Sequence, residues 1–157
     1  MRIGLIIYGS LKTLTGGYLY DRIVVEGLER LGHEVEVISL ASGSYLRRLG
    51  HGLTSGLLRR LPAGRFDILL QDELCHPSLF LVNRRLRRLH GPPLVAIVHH
   101  LMCREPRPWW RNRLLALVEK RYLVAVDGFI FNSKTTGRTV TTLVGDGQLH
   151  VIAYPAG

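Results

Sequence analysis

The chain has 157 residues, enough for one domain with a proper core, and no apolar run approaches the roughly eighteen residues of a membrane-spanning helix. Its apolar start is too short for a signal peptide, and two cysteines, Cys75 and Cys103, supply no disulfide framework, which suits a reducing, cytoplasmic location. The net charge of +9 is uneven: fifteen Arg and Lys stand against five Asp and Glu between Ser44 and Arg121, and six against seven elsewhere. Basicity confined to the middle points to an anionic partner for one region.

Residues 3–8 form a continuous apolar run, the signature of a strand covered on both faces in a parallel sheet. The run stops at Gly9-Ser10, and a loop leads to Gly16-Gly17 and a helical pattern over 18–31 with apolar positions at Ile23, Val24, Leu28 and Leu31. Strand, glycine loop and helix together present backbone N–H groups to a phosphate; the plainer reading is a pair of glycines that only turn the chain. Gly32 is the expected helix stop, and 35–40 the second strand. A weaker helical stretch over 42–61 is interrupted by Gly50, Gly52 and Gly56 and ends at Pro62. Strand three is expected at 66–70, a helix with Arg84, Arg85, Arg87 and Arg88 at 77–89, and strand four at 94–98 after Pro92-Pro93. A helix at 109–124, a strand at 128–131, a helix capped by Ser133 and running to about 144, and a last strand at 150–152 complete the chain. This βα alternation predicts an α/β, Rossmann-like doubly wound parallel sheet in one domain over 1–157. Ligands in such sheets sit beyond the carboxyl ends of the strands, at 9–17, 71–76, 99–105 and 132–136 here.

The glycines Gly9, Gly16 and Gly17 have the wrong spacing for GxGxxG, and strand two ends Leu40-Ala41-Ser42 without an acid, which disfavours NAD and FAD. Lys12 is not placed as a P-loop lysine, which sets aside kinase and GTPase readings. What remains resembles a known family. The opening RIGLIIYG…TGGYLYDRIVVEGLERLGHEVEVISL is similar to that of the family-four, GT-B-fold retaining glycosyltransferases. So are Val98-His99-His100 ending strand four, Glu119 before Tyr122, and the segment DGFIFNSKTTGRTV from Asp127 to Val140. The ending, Val151 to Gly157, resembles the point where that family's chain leaves its first, acceptor-side domain. The family's second domain, which supplies most of the sugar-nucleotide site, has no counterpart in this sequence.

The resemblance implies roles for particular residues. Gly16 and Gly17 would place their amides near the donor's phosphates, and His99 would hydrogen-bond a hydroxyl or phosphate of the transferred sugar. His100 competes for that role, because neighbouring strand residues point to opposite faces; a structural imidazole is the alternative for each. Asp72 and Glu73 would bind acceptor hydroxyls, although a pair of solvated loop charges is the simpler expectation. Retention requires no carboxylate pair of the hydrolase kind. No cofactor is expected beyond the nucleotide-sugar donor, which is a substrate. No metal is expected either, since His99, His100 and Cys103, with Cys75 and His76, match no recognised zinc spacing.

The basic middle interleaves Tyr45, Leu46, Leu49, Leu53, Leu57, Leu58 and Leu61 with Arg47, Arg48, Arg59 and Arg60, and adds Trp109 and Trp110 among arginines. An apolar stripe with arginines and tryptophan fits a helix on an anionic membrane surface, here the inner face. Solvated faces are the bland alternative, and nucleic acid is disfavoured because no recognised motif accompanies the charge. The expectation is therefore an acceptor-side glycosyltransferase domain, inactive alone, with a sugar or lipid-linked acceptor. The alternative is a non-catalytic basic anion-binding or interaction module, or one half of a split enzyme.

Overall fold

A computed structural model describes residues 1–51, 56–62 and 64–155. Gly52 and Leu53 of the expected helix, and Ala156 and Gly157 of the ending, lie outside the described residues. The strands are β1 (Arg2–Tyr8), β2 (Glu34–Leu40), β3 (Ile68–Asp72), β4 (Leu94–Val98), β5 (Gly128–Phe131) and β6 (Leu149–Ile152). The helices are α1 (Gly16–Arg30), α2 (Tyr45–His51), α3 (Gly56–Arg60), α4 (His76–Arg88), α5 (Trp109–Leu123) and α6 (Lys134–Val144). The six strands form one sheet in the order β2-β1-β3-β4-β5-β6, and every neighbouring pair is parallel.

Side-chain alternation explains why helices are needed on both sides. Ile3, Leu5 and Ile7 of β1 face Tyr20 and Val25 of α1, while Ile6 and Tyr8 face a larger cluster with Leu79, Val82, Tyr122 and Val140 from α4, α5 and α6. The expected architecture is the observed one. Edge strand β2 alternates between exposed and buried, as an edge requires, whereas β1 is buried from Ile3 to Tyr8.

Two expected elements differ. Of the stretch over 42–61, the described residues are helical in α2 and α3, and helix α2 starts at Tyr45 rather than at 42. Strand three starts two residues later than expected because Asp67 is held outside it. Its carboxylate accepts the Arg2 N–H at 2.7 Å, and its own N–H donates to the Arg2 carbonyl at 2.8 Å. The strand therefore extends to Asp72, and a short 3₁₀ turn, Glu73–Cys75, leads directly into α4.

Gly4 marks the tightest approach in the sheet. A Cβ there would stand 2.6 Å from Leu69 Cδ2 and 3.2 Å from the Phe66 ring. Gly4→Ala is expected to destabilise the fold by about 1–3 kcal/mol, read from the urea unfolding midpoint; an unchanged midpoint would contradict this packing.

Candidate functional site

The strand order reverses at β1, which has β2 on one side and β3 on the other. The crevice beyond the carboxyl ends of β1 and β3 is where such sheets hold ligands. Three segments converge there. The first follows β1: Gly9 takes a positive φ of 63° and donates its N–H to Leu40, and Tyr18 hydroxyl donates to the Tyr8 carbonyl at 2.6 Å. Thr15 caps α1 by accepting from the Tyr18 N–H. A Cβ on Gly16 would meet nothing within 4 Å. One on Gly17 would stand 3.5 Å from His99 Cδ2. The positive end of α1 thus lies open against an imidazole.

The second segment follows β4. His99 Nε2 is 3.2 Å from Asp21 Oδ1, the Tyr20 ring meets the imidazole edge-on at 5.1 Å, and Thr136 hydroxyl donates to the His99 carbonyl. The side chain is only 12% exposed. His100 turns the other way; its side chain is 58% exposed and lies 3.1 Å from Glu105 Oε1. The strand alternation that set the two histidines in competition thus turns His99 toward Gly17 and His100 toward solvent.

The third segment ends β3. Asp72 and Glu73 are each only 1% exposed, so the expectation of solvated loop charges is corrected. The later start of β3 carries both into the interior, where partners from α1 and α5 meet them. Asp72 Oδ1 accepts the Leu74 N–H at 3.0 Å. Burial, and then the charge of Asp21, push its carboxyl up to about 6. Glu73 groups with His76 and Glu119. His76 Nδ1 lies 3.0 Å from both its carbonyl and its Oε1, and burial with the nearby Glu119 holds its carboxyl well above the usual range. Burial also pushes His76 down to about 4, leaving that imidazole neutral.

For His99, burial acts to lower the pKa, but the Asp21 hydrogen bond and charge, with Asp72 and Glu73 behind them, outweigh it and the net shift is upward. The imidazole is thereby biased toward its cationic form at the mouth of α1. Asp21 itself is fully buried, and its Oδ2 takes no hydrogen bond from the described residues.

Asp21 escaped the sequence reading. It stands four residues after Gly17, one helical turn on, and that spacing was the available signal. Glu119 stood out only through the family resemblance, and the structure gives it a physical role. Its carboxylate accepts the Met102 N–H at 2.6 Å and the Cys103 N–H at 3.1 Å, fixing the loop that leaves His99.

The metal-type atoms fall into two trios, each within 4.8 Å: Asp21, Asp72 and His99, and Glu73, His76 and Glu119. Neither is the set considered from sequence, since His100 lies outside both and Cys75 and Cys103 remain free thiols. Among the described residues, either trio has the donor chemistry to bind a divalent cation.

The basic residues take several positions. Arg47 and Arg59 are exposed, Arg60 donates to the Ser39 carbonyl, and Arg48 turns inward over the Tyr8 ring at 4.2 Å. Leu57 and Leu61 are buried whereas Leu46 on α2 is 78% exposed, so the described apolar positions of this stretch divide between core and surface. Trp109 and Trp110 stand exposed at the start of α5, with Arg111 over the Trp110 ring at 5.6 Å. No helix among the described residues is long and apolar enough to cross a membrane.

A doubly wound parallel sheet with a helix N-terminus, an imidazole and buried carboxyls at its reversal point is a ligand-binding domain of the Rossmann-like class. The sequence pattern of Glycosyltransferase Family 4 matches residues 22–154, and the chain belongs to that family. Its function is accordingly of the glycosyltransferase type, with sugar-related substrates. The matched stretch begins at Arg22, so β1 and the Gly16-Gly17 turn enter the site on geometry alone. No curated protein matches the chain.

Proposed function

We propose that this domain is the acceptor-side half of a retaining glycosyltransferase that takes its sugar from a nucleotide-sugar donor. The observation that carries the reading is the packing of Gly17 against His99, with Asp21 behind the imidazole, at the strand-order reversal. Negative charge grows on the donor's diphosphate as the bond to the sugar breaks. The free amides at Gly16 and Gly17 and a cationic His99 are arranged to offset that charge. Asp21 and Asp72 keep His99 oriented and charged, and Asp72, with its carboxyl pushed up to about 6, is suited to meet an acceptor hydroxyl. Glu73 supports Asp72 from the interior rather than touching substrate. No cofactor is invoked; the nucleotide sugar is consumed as substrate.

The acceptor is proposed to be lipid-linked and reached at the cytoplasmic face of a membrane. Support comes from Trp109 and Trp110, which are exposed where α5 leaves the loop following His99. The donor side of the cleft is proposed to come from a second domain. The test is sugar transfer from a labelled nucleotide sugar, measured with the 157-residue chain alone and joined to a donor-binding domain. The chain alone is expected to give no transfer and the joined enzyme to turn over. Turnover by the chain alone would overturn the half-site reading.

A further inference from the structure

We propose that the outward surface of α4 and α5 docks on an anionic bilayer, Arg84, Arg88 and Arg121 gathering lipid phosphates while Trp110, Leu114 and Leu117 enter the interface. The inference deepens the membrane-proximal reading above and moves the contact away from α2 and α3.

A surface helix ordinarily keeps its outward face polar. On α5 the residues opposite the buried Glu119, Tyr122 and Leu123 include Trp110, Leu114 and Leu117, which are 52%, 60% and 51% exposed. Their spacing of four and three residues puts them in one row. Arg113, Lys120 and Arg121 are exposed on the same outward side. The only carboxylate on α5 is Glu119, which is fully buried, and α4 has none at all. A merely solvated face explains the cations but leaves the apolar row without a reason. Arginines around a row of tryptophan and leucine fit a bilayer interface, where both kinds of side chain gain.

The basic charge also has a shape. An open pocket of about 390 Å³ between the two helices is lined by Arg84, Arg87, Arg88 and Arg121 with Val124 and Ala125. Arg87 is engaged, donating to the Val124 carbonyl at 3.3 Å and lying 3.8 Å from Asp127. The Asp127 carboxylate also takes the Leu94 N–H at 2.9 Å, so it is already occupied. Arg84, Arg88 and Arg121 have no carboxylate or carbonyl partner among the described residues. Three unneutralised guanidiniums around one pocket are arranged for phosphate esters.

This pocket lies at the carboxyl ends of α4 and α5, opposite the crevice, so it is distinct from the donor-phosphate site. The 15 residues of α5 span about 22 Å, running from Trp109 at the crevice end to this pocket. A helix laid along the bilayer would therefore bring the mouth of the crevice to the surface, where a lipid-linked acceptor enters.

Trp109 and Trp110 are the only two tryptophans of the chain, so their fluorescence reports this face directly. The test adds phosphatidylcholine vesicles with and without about 30% phosphatidylglycerol, in the absence of any sugar. A blue shift and co-flotation are expected only with phosphatidylglycerol. The double variant Arg84→Glu/Arg88→Glu should lower partitioning by roughly tenfold or more, and Trp110→Ala should weaken it severalfold. These positions are exposed, so circular dichroism and the unfolding midpoint should stay unchanged. Binding that survives the arginine reversals, or is lost instead with Arg47→Glu/Arg59→Glu, would overturn the assignment. Equal binding to duplex DNA, displacement by millimolar inorganic phosphate, or a dimer formed through Trp110 would overturn it too. Measured on the chain joined to a donor-binding domain, vesicle binding without sugar transfer would reject only the catalytic reading, and transfer without vesicle binding would reject only this one.

Discussion

His99→Ala is expected to lower turnover of the joined enzyme by roughly a hundredfold or more, from the loss of about 2–4 kcal/mol of transition-state stabilisation. The imidazole is held from three sides, by Asp21, the Tyr20 edge and the backbone at Gly17, so it is already oriented before substrate arrives. A preorganised cation near a departing diphosphate is worth more than the same charge free in water. The stability effect is separate: alanine leaves Asp21 buried without its partner, at a cost of about 1–3 kcal/mol. His100→Ala is the internal control, since its exposed ring pairs with Glu105 and near-normal turnover is expected. Lost turnover in His100→Ala with turnover kept in His99→Ala would reverse the assignment.

The same pair sets a pH dependence whose sign is fixed. His99 has a raised pKa in the folded state, so its pairing with Asp21 contributes fully below the ordinary imidazole value of 6.5 and is lost as pH rises through the raised one. Asp72 acts in the same direction, because the folded state keeps its proton up to about 6 whereas the ordinary value is 3.8. Between about pH 4 and 6.5 His76, pushed down to about 4, opposes the Asp72 loss, so the decline in urea stability should show above about 6.5 as His99 loses its proton, and Asp21→Asn should flatten it. Turnover should fall over the upper part of the range, as the imidazolium is lost.

Much of the fold was legible because periodicity reports burial directly. The apolar run of β1 and the bounds of β4 and β5 followed from it, and Ser133 does cap α6 through the Thr136 N–H. The histidine assignment was half legible, since alternation says that His99 and His100 must diverge but not which enters the crevice. Asp72 and Glu73 were misread for a definite reason. Adjacent acids after a strand look solvated unless the groups that enclose them are visible, and those, Asp21, His76, His99 and Glu119, come from separate elements. The arginines were ambiguous for the converse reason: only the packing reveals that Arg48 turns in over Tyr8 while Arg84, Arg88 and Arg121 stay out.

Glu119→Ala should produce the largest loss of stability, because one carboxylate there does several jobs at full burial. It takes the Met102 and Cys103 N–H groups that a 3₁₀ turn leaves without other partners, and it is the neighbour that, after burial, does most to raise the Glu73 carboxyl. Alanine would orphan two buried donors, each costing about 1–3 kcal/mol, and leave a cavity beside Tyr122. A total of about 3–5 kcal/mol is expected from urea unfolding, enough to threaten a domain of ordinary stability. Glu119→Gln separates the causes. The amide oxygen can still accept from the loop while the charge is gone, so stability should recover by more than half. Glu73 then loses the neighbour that helps hold it protonated, and its pKa should move down toward the usual carboxylate range. If the alanine variant unfolds at the normal urea concentration, the loop after His99 is held by something other than Glu119. If glutamine is as damaging as alanine, it is an interaction that only the carboxyl can make, rather than the two N–H bonds, that secures this part of the fold.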